Sequence, residues 1–426
     1  MRRLFFICCS LFVAVGAHAQ LTLDTCRQLV REHYPEVRRY DLIRLATEYT
    51  VSNARRAYLP QFVLSTQATW QTAVPSYPDV LTDLLTLQGI EMEGLSRDQY
   101  KIQLELSQTI WDGGKTRADR LAAEAEETEA LRSVDVDLYA LEGRVDELYF
   151  GILLLEERIA QMELTIELLR SSLEKVQALQ RSGVAMQSDA DAVEAELLSV
   201  GQQLDGVETV RESYRRMLSL FVGKELGDER LERPVELQLH TGEVNRPELA
   251  LLDARQGTLA AREKLVRSSV MPRIGLFAQG YYGYPGLDFL ESMVDRQWTW
   301  NALVGVRMSW NFGAYYTQRN SLNKLRNARQ QLEVQRDVFL FNNRLQAAQE
   351  SGEIARLRRA LADDDRIVAL RRSVREAAES KLRNGVIDTN DLLKTITEED
   401  AAAAARSARE IELLKAIYEL NHTIGQ

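Results

Sequence analysis

The sequence predicts a mixed α+β protein in which an internally duplicated chain forms long helical hairpins and four β-strands. Residues 115–181 contain no proline and only two glycines, Gly143 and Gly151. As one helix they would span roughly 100 Å at about 1.5 Å per residue. A pair of prolines recurs later in the chain, and apolar residues alternate with polar ones after each pair. These two features predict a duplication and β-strands.

The longest predicted helix has a regular apolar seam. Its apolar residues follow alternating steps of four and three, which is the a/d spacing of a helix packed in a coiled coil. They are Leu141, Val145, Leu148, Ile152, Leu155, Ile159, Met162, Ile166, Leu169, Leu173 and Val176. A second helix from about residue 187 has the same spacing, so the two are expected to pack as an antiparallel hairpin.

The N-terminus has the pattern of an export signal. Arg2 and Arg3 precede an apolar run over residues 4–15, and Ala17 and Ala19 form a small-residue cleavage site. We predict a signal peptide over residues 1–19. A retained membrane anchor is the alternative, which the shortness of the run disfavours. The mature chain keeps one cysteine, Cys26, which we expect to be an ordinary helix residue.

The duplication is visible in two pairs of prolines. Pro35 and Pro60 recur as Pro247 and Pro272, displaced by 212 residues, with similar neighbours. The segment that begins at Arg181 returns 202 residues later, so the first copy carries about ten extra residues between these landmarks. From Leu21 the pattern is helical, with Thr22 or Asp24 as the N-cap, and we expect this helix to continue to Pro60.

Four segments after the prolines alternate with period two, over residues 62–70, 100–111, 274–278 and 302–312. A soluble sheet would show the same alternation. Membrane strands are favoured by the segment lengths, which approach the 9–11 residues of a tilted spanning strand. They are also favoured by aromatic residues at the strand ends, namely Trp70, Tyr281, Tyr282, Tyr284, Trp298, Trp300, Trp310 and Phe312. Four strands cannot close a barrel in lipid, so several copies of the chain must contribute their strands to one barrel.

The predicted organisation follows from these patterns. It comprises a signal peptide (1–19), an N-terminal helix (20–59), a first β-hairpin (60–112), a long helical hairpin (113–222), an irregular connector (223–246), a helix that opens the second copy (247–270), a second β-hairpin (271–313) and a second helical hairpin (314–426).

Nothing in the sequence indicates catalysis, a cofactor or a metal site. The mature chain has three scattered histidines, His33, His240 and His422. The segment 112–116 resembles the end of a phosphate loop, but Thr109 stands where that motif needs glycine. A strand-to-helix turn is the plainer interpretation. The formal net charge of −10 disfavours nucleic-acid binding and would favour cations in an enclosed passage.

The chain resembles the TolC family of outer-membrane efflux channels. Residues 104–114, LELSQTIWDGG, are similar to the strand-to-helix segment of that family, and residues 183–189 and 385–391 are similar to its hairpin turns. The second-copy segment Phe312-Gly313-Ala314-Tyr315 departs from the usual aromatic-Asp-Gly-Gly. This departure bears on the geometry of that turn and not on the fold.

The resemblance implies a homotrimer in the outer-membrane lipid, with twelve pooled strands in one barrel and a helical tunnel in the periplasm. It implies a passive exit duct of a tripartite efflux or type I secretion system. An inner-membrane transporter would deliver substrates through a periplasmic adaptor (membrane fusion) protein, and the resemblance does not separate drugs, metals and proteins as cargo. The adaptor would dock at the turns, at Gly183, Val184, Gly385 and Val386.

The resemblance also implies acidic residues at the periplasmic entrance. Asp391 matches such a position, and Asp388 and Asp189 are weaker candidates, with helix capping as the alternative role. A separate prediction comes from the alternation within the strands (strand parity). Glu105 and Arg307 both fall at polar positions and lie at equivalent places in the two copies, 202 residues apart, so we predict that both point into the barrel lumen. The rival hypothesis is an extended periplasmic coiled-coil structural protein without a membrane barrel.

Overall fold

The computed structural model describes residues 21–87, 89, 94–183, 186–227, 229–238, 244–384, 386–387 and 389–426. The elements are α1 (Leu23–His33), a 3₁₀ helix (Pro35–Arg38), α2 (Arg39–Arg56), β1 (Gln61–Trp70), α3 (Asp79–Thr86), β2 (Asp98–Trp111), α4 (Lys115–Arg181), α5 (Gln187–Val222), α6 (Pro247–Ser268), β3 (Arg273–Tyr284), α7 (Phe289–Val294), β4 (Thr299–Ser309), α8 (Ala314–Arg383) and α9 (Thr389–Ile424).

The chain divides into two compact units. We call residues 40–132 and 251–335 the sheet unit, and residues 21–39, 133–250 and 336–426 the helical unit. The predicted fold class is confirmed, because the chain is mostly helical and has one four-stranded antiparallel sheet. The predicted 67-residue helix is α4, and the second copy has a helix of 70 residues, α8.

The sheet has the order β1-β2-β3-β4, and each strand pairs with the next in the sequence. Leu64 lies opposite Leu104, and Leu276 lies opposite Val306, so the apolar parities of all four strands share one face. A register shift between Thr109 and Trp111 marks an irregularity near the end of β2. The strands contain 10, 14, 12 and 11 residues. The first three contain the predicted alternating segments, whereas β4 ends at Ser309 and leaves the last three residues of the fourth segment, 310–312, outside the strand.

The expectation of one continuous N-terminal helix to Pro60 was wrong. Helix α1 ends at His33, and Tyr34 is extended with φ −64° and ψ 130°. The residue before a proline avoids the helical region, because the proline ring clashes with its backbone. Pro35 then opens the 3₁₀ helix, and α2 follows. The predicted N-cap is confirmed at Thr22, whose hydroxyl accepts a hydrogen bond from the Thr25 backbone N–H at 3.2 Å.

The core of the helical unit forms where α1, α4, α5 and α9 meet the connector. The predicted seam of α4 is buried in part. Leu141, Val145, Ile152, Ile159 and Ile166 are at most 7% exposed, whereas Leu155, Met162 and the seam residues from Leu169 onward are half-buried. Cys26 is fully buried in α1, and burial raises the pKa of its thiol to about 12. This cysteine is therefore an unreactive packing residue, as expected from the sequence.

Polar groups inside this core connect distant parts of the chain. The buried Tyr149 hydroxyl lies 2.7 Å from the Leu21 carbonyl and 2.6 Å from the Glu232 carbonyl. The Arg27 guanidinium donates to both carboxylate oxygens of Asp146, at 2.8 and 2.5 Å. Such a two-pronged pair is specific in geometry, so it sets the position of α1 along α4.

The two glycines of α4 lie where other side chains approach its backbone. A Cβ at Gly143 would lie 2.9 Å from Nε2 of His422, and one at Gly151 would lie 2.8 Å from Cε2 of Tyr214. The His422 ring also stacks on Tyr139, with centroids 4.2 Å apart. Both glycines therefore leave room for the packing of α9 and α5 on α4.

Among the residues that the structure describes, no helix is both long enough and apolar enough to cross a membrane.

Candidate functional site

One face of the sheet is apolar and open to the surroundings. Phe62, Leu64, Val304 and Val306 on this face are 69%, 70%, 77% and 69% exposed. Exposed apolar side chains in such a continuous array mark a surface that contacts lipid or protein rather than water. This face of the sheet is therefore the candidate membrane surface.

Aromatic residues gather at both ends of the sheet. At one end Tyr282 contacts Trp298 and Trp300, with ring centroids 5.3 and 5.0 Å apart. At the other end Trp310 contacts Phe312 at 4.7 Å. Ten residues separate Trp300 from Trp310, or about 33 Å along a strand at about 3.3 Å per residue. Tilted by about 40°, this distance gives an apolar band roughly 25 Å tall, the height typical of outer-membrane barrels.

The opposite face carries the two residues predicted from strand parity, and the structure brings them together. Arg307 Nη1 lies 3.3 Å from Glu105 Oε1. Glu105 also accepts hydrogen bonds from the side-chain amides of Gln279, at 3.1 Å, and Gln103, at 3.4 Å. The Glu105 carboxylate thus has a partner on each of three strands. We call Glu105, Arg307, Gln279 and Gln103 the polar cluster.

Phe277 and Gly305 hold Arg307 in this position, and sequence reasoning missed both. The Phe277 ring lies over Gly305, where a Cβ would be 2.9 Å from a ring carbon. The Arg307 guanidinium carbon lies 4.5 Å from the centre of the Phe277 ring, within the range of a cation–π contact. A glycine inside a strand was the signal available in the sequence, because it often marks a close approach.

The sheet has two free edges in this chain. Within the described residues, β1 pairs only with β2, and β4 pairs only with β3. The outer backbone groups of β1 and β4 therefore lack strand partners in the single chain. In lipid such groups cost several kcal/mol each, so a membrane-embedded sheet needs further strands at both edges.

The turn from β2 into α4 is built by Asp112 and two glycines. The Asp112 carboxylate accepts hydrogen bonds from the backbone N–H groups of Gly114, at 2.9 Å, and Thr116, at 2.6 Å. Tyr58 donates its hydroxyl to the same carboxylate at 2.9 Å. Gly113 and Gly114 have φ of +72° and +84°, in the region that favours glycine. This confirms the interpretation as a strand-to-helix turn.

The second-copy turn has a different geometry, in line with its different sequence. Gly313 does not have a positive φ, and its N–H donates to the Asn311 side chain at 3.1 Å. An asparagine of the turn thus serves as the hydrogen-bond acceptor, the role that Asp112 has in the first copy.

The predicted entrance and docking residues lie at the two helical turns. Val184, Gly385 and Asp388 fall outside the described residues. Gly183 follows α4 with φ +76°, and Val386 is 69% exposed.

The two acidic candidates in the described part of these turns lie at helix starts. The Asp189 carboxylate accepts a hydrogen bond from the Met186 backbone N–H at 2.9 Å, so it takes part in capping α5. Asp391 is exposed in the first turn of α9.

The described residues contain no group of three or more histidine, cysteine or acidic side chains that could hold a metal ion. The polar cluster pairs one carboxylate with one guanidinium and contains no nucleophile. The polar cluster is therefore a charged patch on one face of the sheet.

Comparison with solved structures identifies the fold. The outer-membrane channel OprN shares 16% identity with a TM-score of 0.65, covering 95% of this chain and 89% of that chain. VceC from Vibrio cholerae shares 15% identity (TM-score 0.63; 95% and 96% covered), and CmeC from Campylobacter jejuni 14% (0.64; 95% and 85%). The protein thus has the fold of outer-membrane channels.

One family model also matches part of the sequence. Residues 26–224 match the family model described as outer membrane efflux protein. None of the curated protein sequences matches the chain. The chain is therefore similar to outer membrane efflux proteins over these residues, and it shares the fold of outer-membrane channels over 95% of its length. The matching family model and the similar structures are those of outer-membrane proteins.

Proposed function

We propose that three copies of this chain form a passive exit duct of a tripartite efflux or type I secretion system. An inner-membrane transporter would deliver the substrate through a periplasmic adaptor protein. The observation that carries the proposal is the sheet. It has an exposed apolar face, a polar face with the Glu105–Arg307 pair and two free edges. Twelve strands from three copies would satisfy the edges, which four strands cannot do.

The first test is the mass of the mature protein in detergent, with the bound detergent subtracted. A trimer that precipitates without detergent and conducts ions in planar bilayers is expected. A monomer or dimer that is indifferent to detergent would leave the sheet edges without partners. That result would favour the rival hypothesis of a periplasmic coiled-coil structural protein.

Cysteine labelling tests which face lines the pore. The only mature cysteine, Cys26, is fully buried, so the unmodified protein is a suitable background. Glu105→Cys and Arg307→Cys should react in proteoliposomes with a small membrane-impermeant thiol reagent. The neighbours Leu104→Cys and Val306→Cys, on the opposite face, are matched controls and should stay unlabelled. Labelling of the controls alone would reverse the assignment of the two faces.

The polar cluster also predicts the ion selectivity of the pore. Glu105 and Arg307 neutralise each other at 3.3 Å, so each pair contributes little net charge. Glu105→Gln leaves three uncompensated arginines per trimer and should shift the reversal potential towards anions. Arg307→Gln should shift it towards cations. Ser107→Ala on the same face changes no charge, and an equal shift in that variant would contradict the assignment.

We assign Asp391 to the periplasmic entrance, with Asp388 and Asp189 as weaker candidates. The exposed position of Asp391 on α9 supports this role, and the hydrogen bond to Met186 supports a capping role for Asp189. Asp391→Asn should change conductance or block by multivalent cations. Asp189→Asn should instead lower the apparent melting temperature.

The adaptor is proposed to dock at the two turns, around Gly183, Val184, Gly385 and Val386. The exposure of Gly183 and Val386 supports this surface. Val386→Cys should cross-link to an adaptor in intact cells. A cysteine at the exposed Phe341 in α8, away from the turns in sequence, is the control and should not cross-link.

A further inference from the structure

A large charged cleft lies in the helical unit, between α4, α5 and the start of the connector. Its volume is about 1030 Å³, and its charged lining includes Glu156, Arg211, Arg215, Arg216, Glu225 and Arg230. Ligand cavities in proteins typically have volumes of about 300–1,000 Å³. The cleft is separate from the sheet and from the two helical turns, so it goes beyond the proposed duct.

Two of the four arginines of the cleft are bound to partners in the chain. Arg215 donates to Glu156 at 3.0 Å and to the Gly227 carbonyl at 3.0 Å. Arg216 pairs with Glu212 at 3.4 Å. Arg215 therefore forms the structural link between α4, α5 and the connector. Its guanidinium and the Glu156 carboxylate are both engaged.

The other two arginines of the cleft, Arg211 and Arg230, have no hydrogen-bond acceptor among the described residues. In the described part of the chain neither forms an ion pair or a side-chain hydrogen bond, and Arg211 Nε is buried without a partner. A buried donor without an acceptor is unfavourable, because it loses its hydrogen bonds to water and gains none in the protein. Burial raises the pKa of the Glu156 carboxyl, and the charges of Arg215, Arg211 and Arg230 oppose this rise. The Glu156 carboxylate is itself held by Arg215.

Two acidic residues of the cleft form ion pairs with arginines other than Arg211 and Arg230. Glu157 binds Arg233, and Glu212 binds Arg216. The remaining acid is the exposed Glu225, which lies at the rim with Arg230. Four arginines and four glutamates line the cleft, so their formal charges balance. Because Glu157 is paired with Arg233, Arg211 and Arg230 face only Glu225 among the lining acids without an ion pair, a local excess of one positive charge.

We propose that this cleft binds an acidic peptide segment of a partner protein, with Arg211 and Arg230 holding its carboxylates. A guanidinium matches a carboxylate with two parallel N–H···O bonds. Arg211 lies on α5 and Arg230 on the connector, so the two sites suit carboxylates on separate side chains. The rim is open, since Arg216, Glu225 and Arg230 are exposed, and an extended chain can enter it. Charge complementarity would steer such a segment to this surface.

The test uses the full-length protein in detergent and a fluorescent peptide of alternating Asp and Gly. Its affinity should exceed that of the Asn-Gly peptide and should fall with added NaCl. Arg211→Gln with Arg230→Gln should weaken binding at least tenfold. The matched control is Arg344→Gln with Arg366→Gln, which removes two exposed charges on α8 and should change binding less than twofold.

Two single variants test the proposal even if the double variant does not fold. Arg230→Glu alters only an exposed side chain and should abolish peptide binding. Glu225→Gln removes the competing acid and should strengthen binding several-fold. Equal binding of the two peptides, or equal loss in the α8 control, would overturn the proposal. Citrate binding without peptide binding would overturn the peptide assignment and indicate a site for a small carboxylate.

Discussion

Gly151 in the middle of α4 offers a sharp test of the helical packing. An alanine normally stabilises a helix interior relative to glycine by about 0.5–1 kcal/mol. At this position, however, the new Cβ would lie 2.8 Å from Cε2 and 3.0 Å from Cδ2 of Tyr214. The tyrosine ring, which packs against the buried core of the helical unit, would have to move. Gly151→Ala is therefore expected to destabilise the protein.

The magnitude follows from two opposing contributions. Forcing an extra carbon into a packed contact costs about 1–3 kcal/mol, against the helix gain of about 0.5–1 kcal/mol. The net loss is about 0–2.5 kcal/mol. Gly206→Ala in α5 is the matched control, because nothing lies within 4 Å of its added Cβ. It should stabilise by about 0.5–1 kcal/mol, so the two variants should differ by about 1–3 kcal/mol.

The assay is the apparent melting temperature of the detergent-solubilised protein at one fixed scan rate. Gly206→Ala should melt above the unmodified protein and Gly151→Ala below it, by a few degrees in total. In a Tyr214→Ala background the obstacle is removed, and Gly151→Ala should become neutral or stabilising. Equal upward shifts for both glycine variants would refute the close approach of Tyr214. Gly143→Ala provides a second instance, with His422 as the obstacle.

Three further predictions concern pH, a buried hydroxyl and the strand-to-helix turn. Burial, assisted by the charge of Arg246, lowers the pKa of His422 from 6.5 to about 4. The unfolded chain therefore binds a proton at higher pH than the folded one, and stability should be constant above about pH 6.5 and fall between pH 6.5 and 4. His422→Gln should flatten this part of a melting-temperature profile. Tyr149→Phe removes a buried hydroxyl that lies against two backbone carbonyls, and it should lower the free energy of unfolding by about 1–3 kcal/mol in a denaturant titration. Asp112→Ala removes the acceptor for the Thr116 N–H and should lower the melting temperature, at a cost of about 0.5–2 kcal/mol, whereas Asp98→Ala at the far end of β2 should not.

The sequence by itself determined the secondary structure and its repetition. The a/d steps from Leu141 to Val176 predicted α4, and the period-two segments predicted four strands. Both patterns are local, since a helix or strand repeats over a few residues. The proline pairs showed the duplication because the same spacing, with similar neighbouring residues, occurs twice in the chain. Parity also placed Glu105 and Arg307 on one face, because the face depends only on odd or even position within a paired strand.

Only the tertiary structure decided which side chains meet. Parity could not show that Arg307 reaches Glu105 across β3, since this depends on Phe277 lying over Gly305. The sequence also does not show that His422 and Tyr214 approach the backbone of α4 at Gly143 and Gly151. The unpaired Arg211 was equally invisible, because its environment comes from α4 and the connector. These contacts join residues far apart in the chain. A local sequence pattern does not indicate which distant side chain packs beside a given residue.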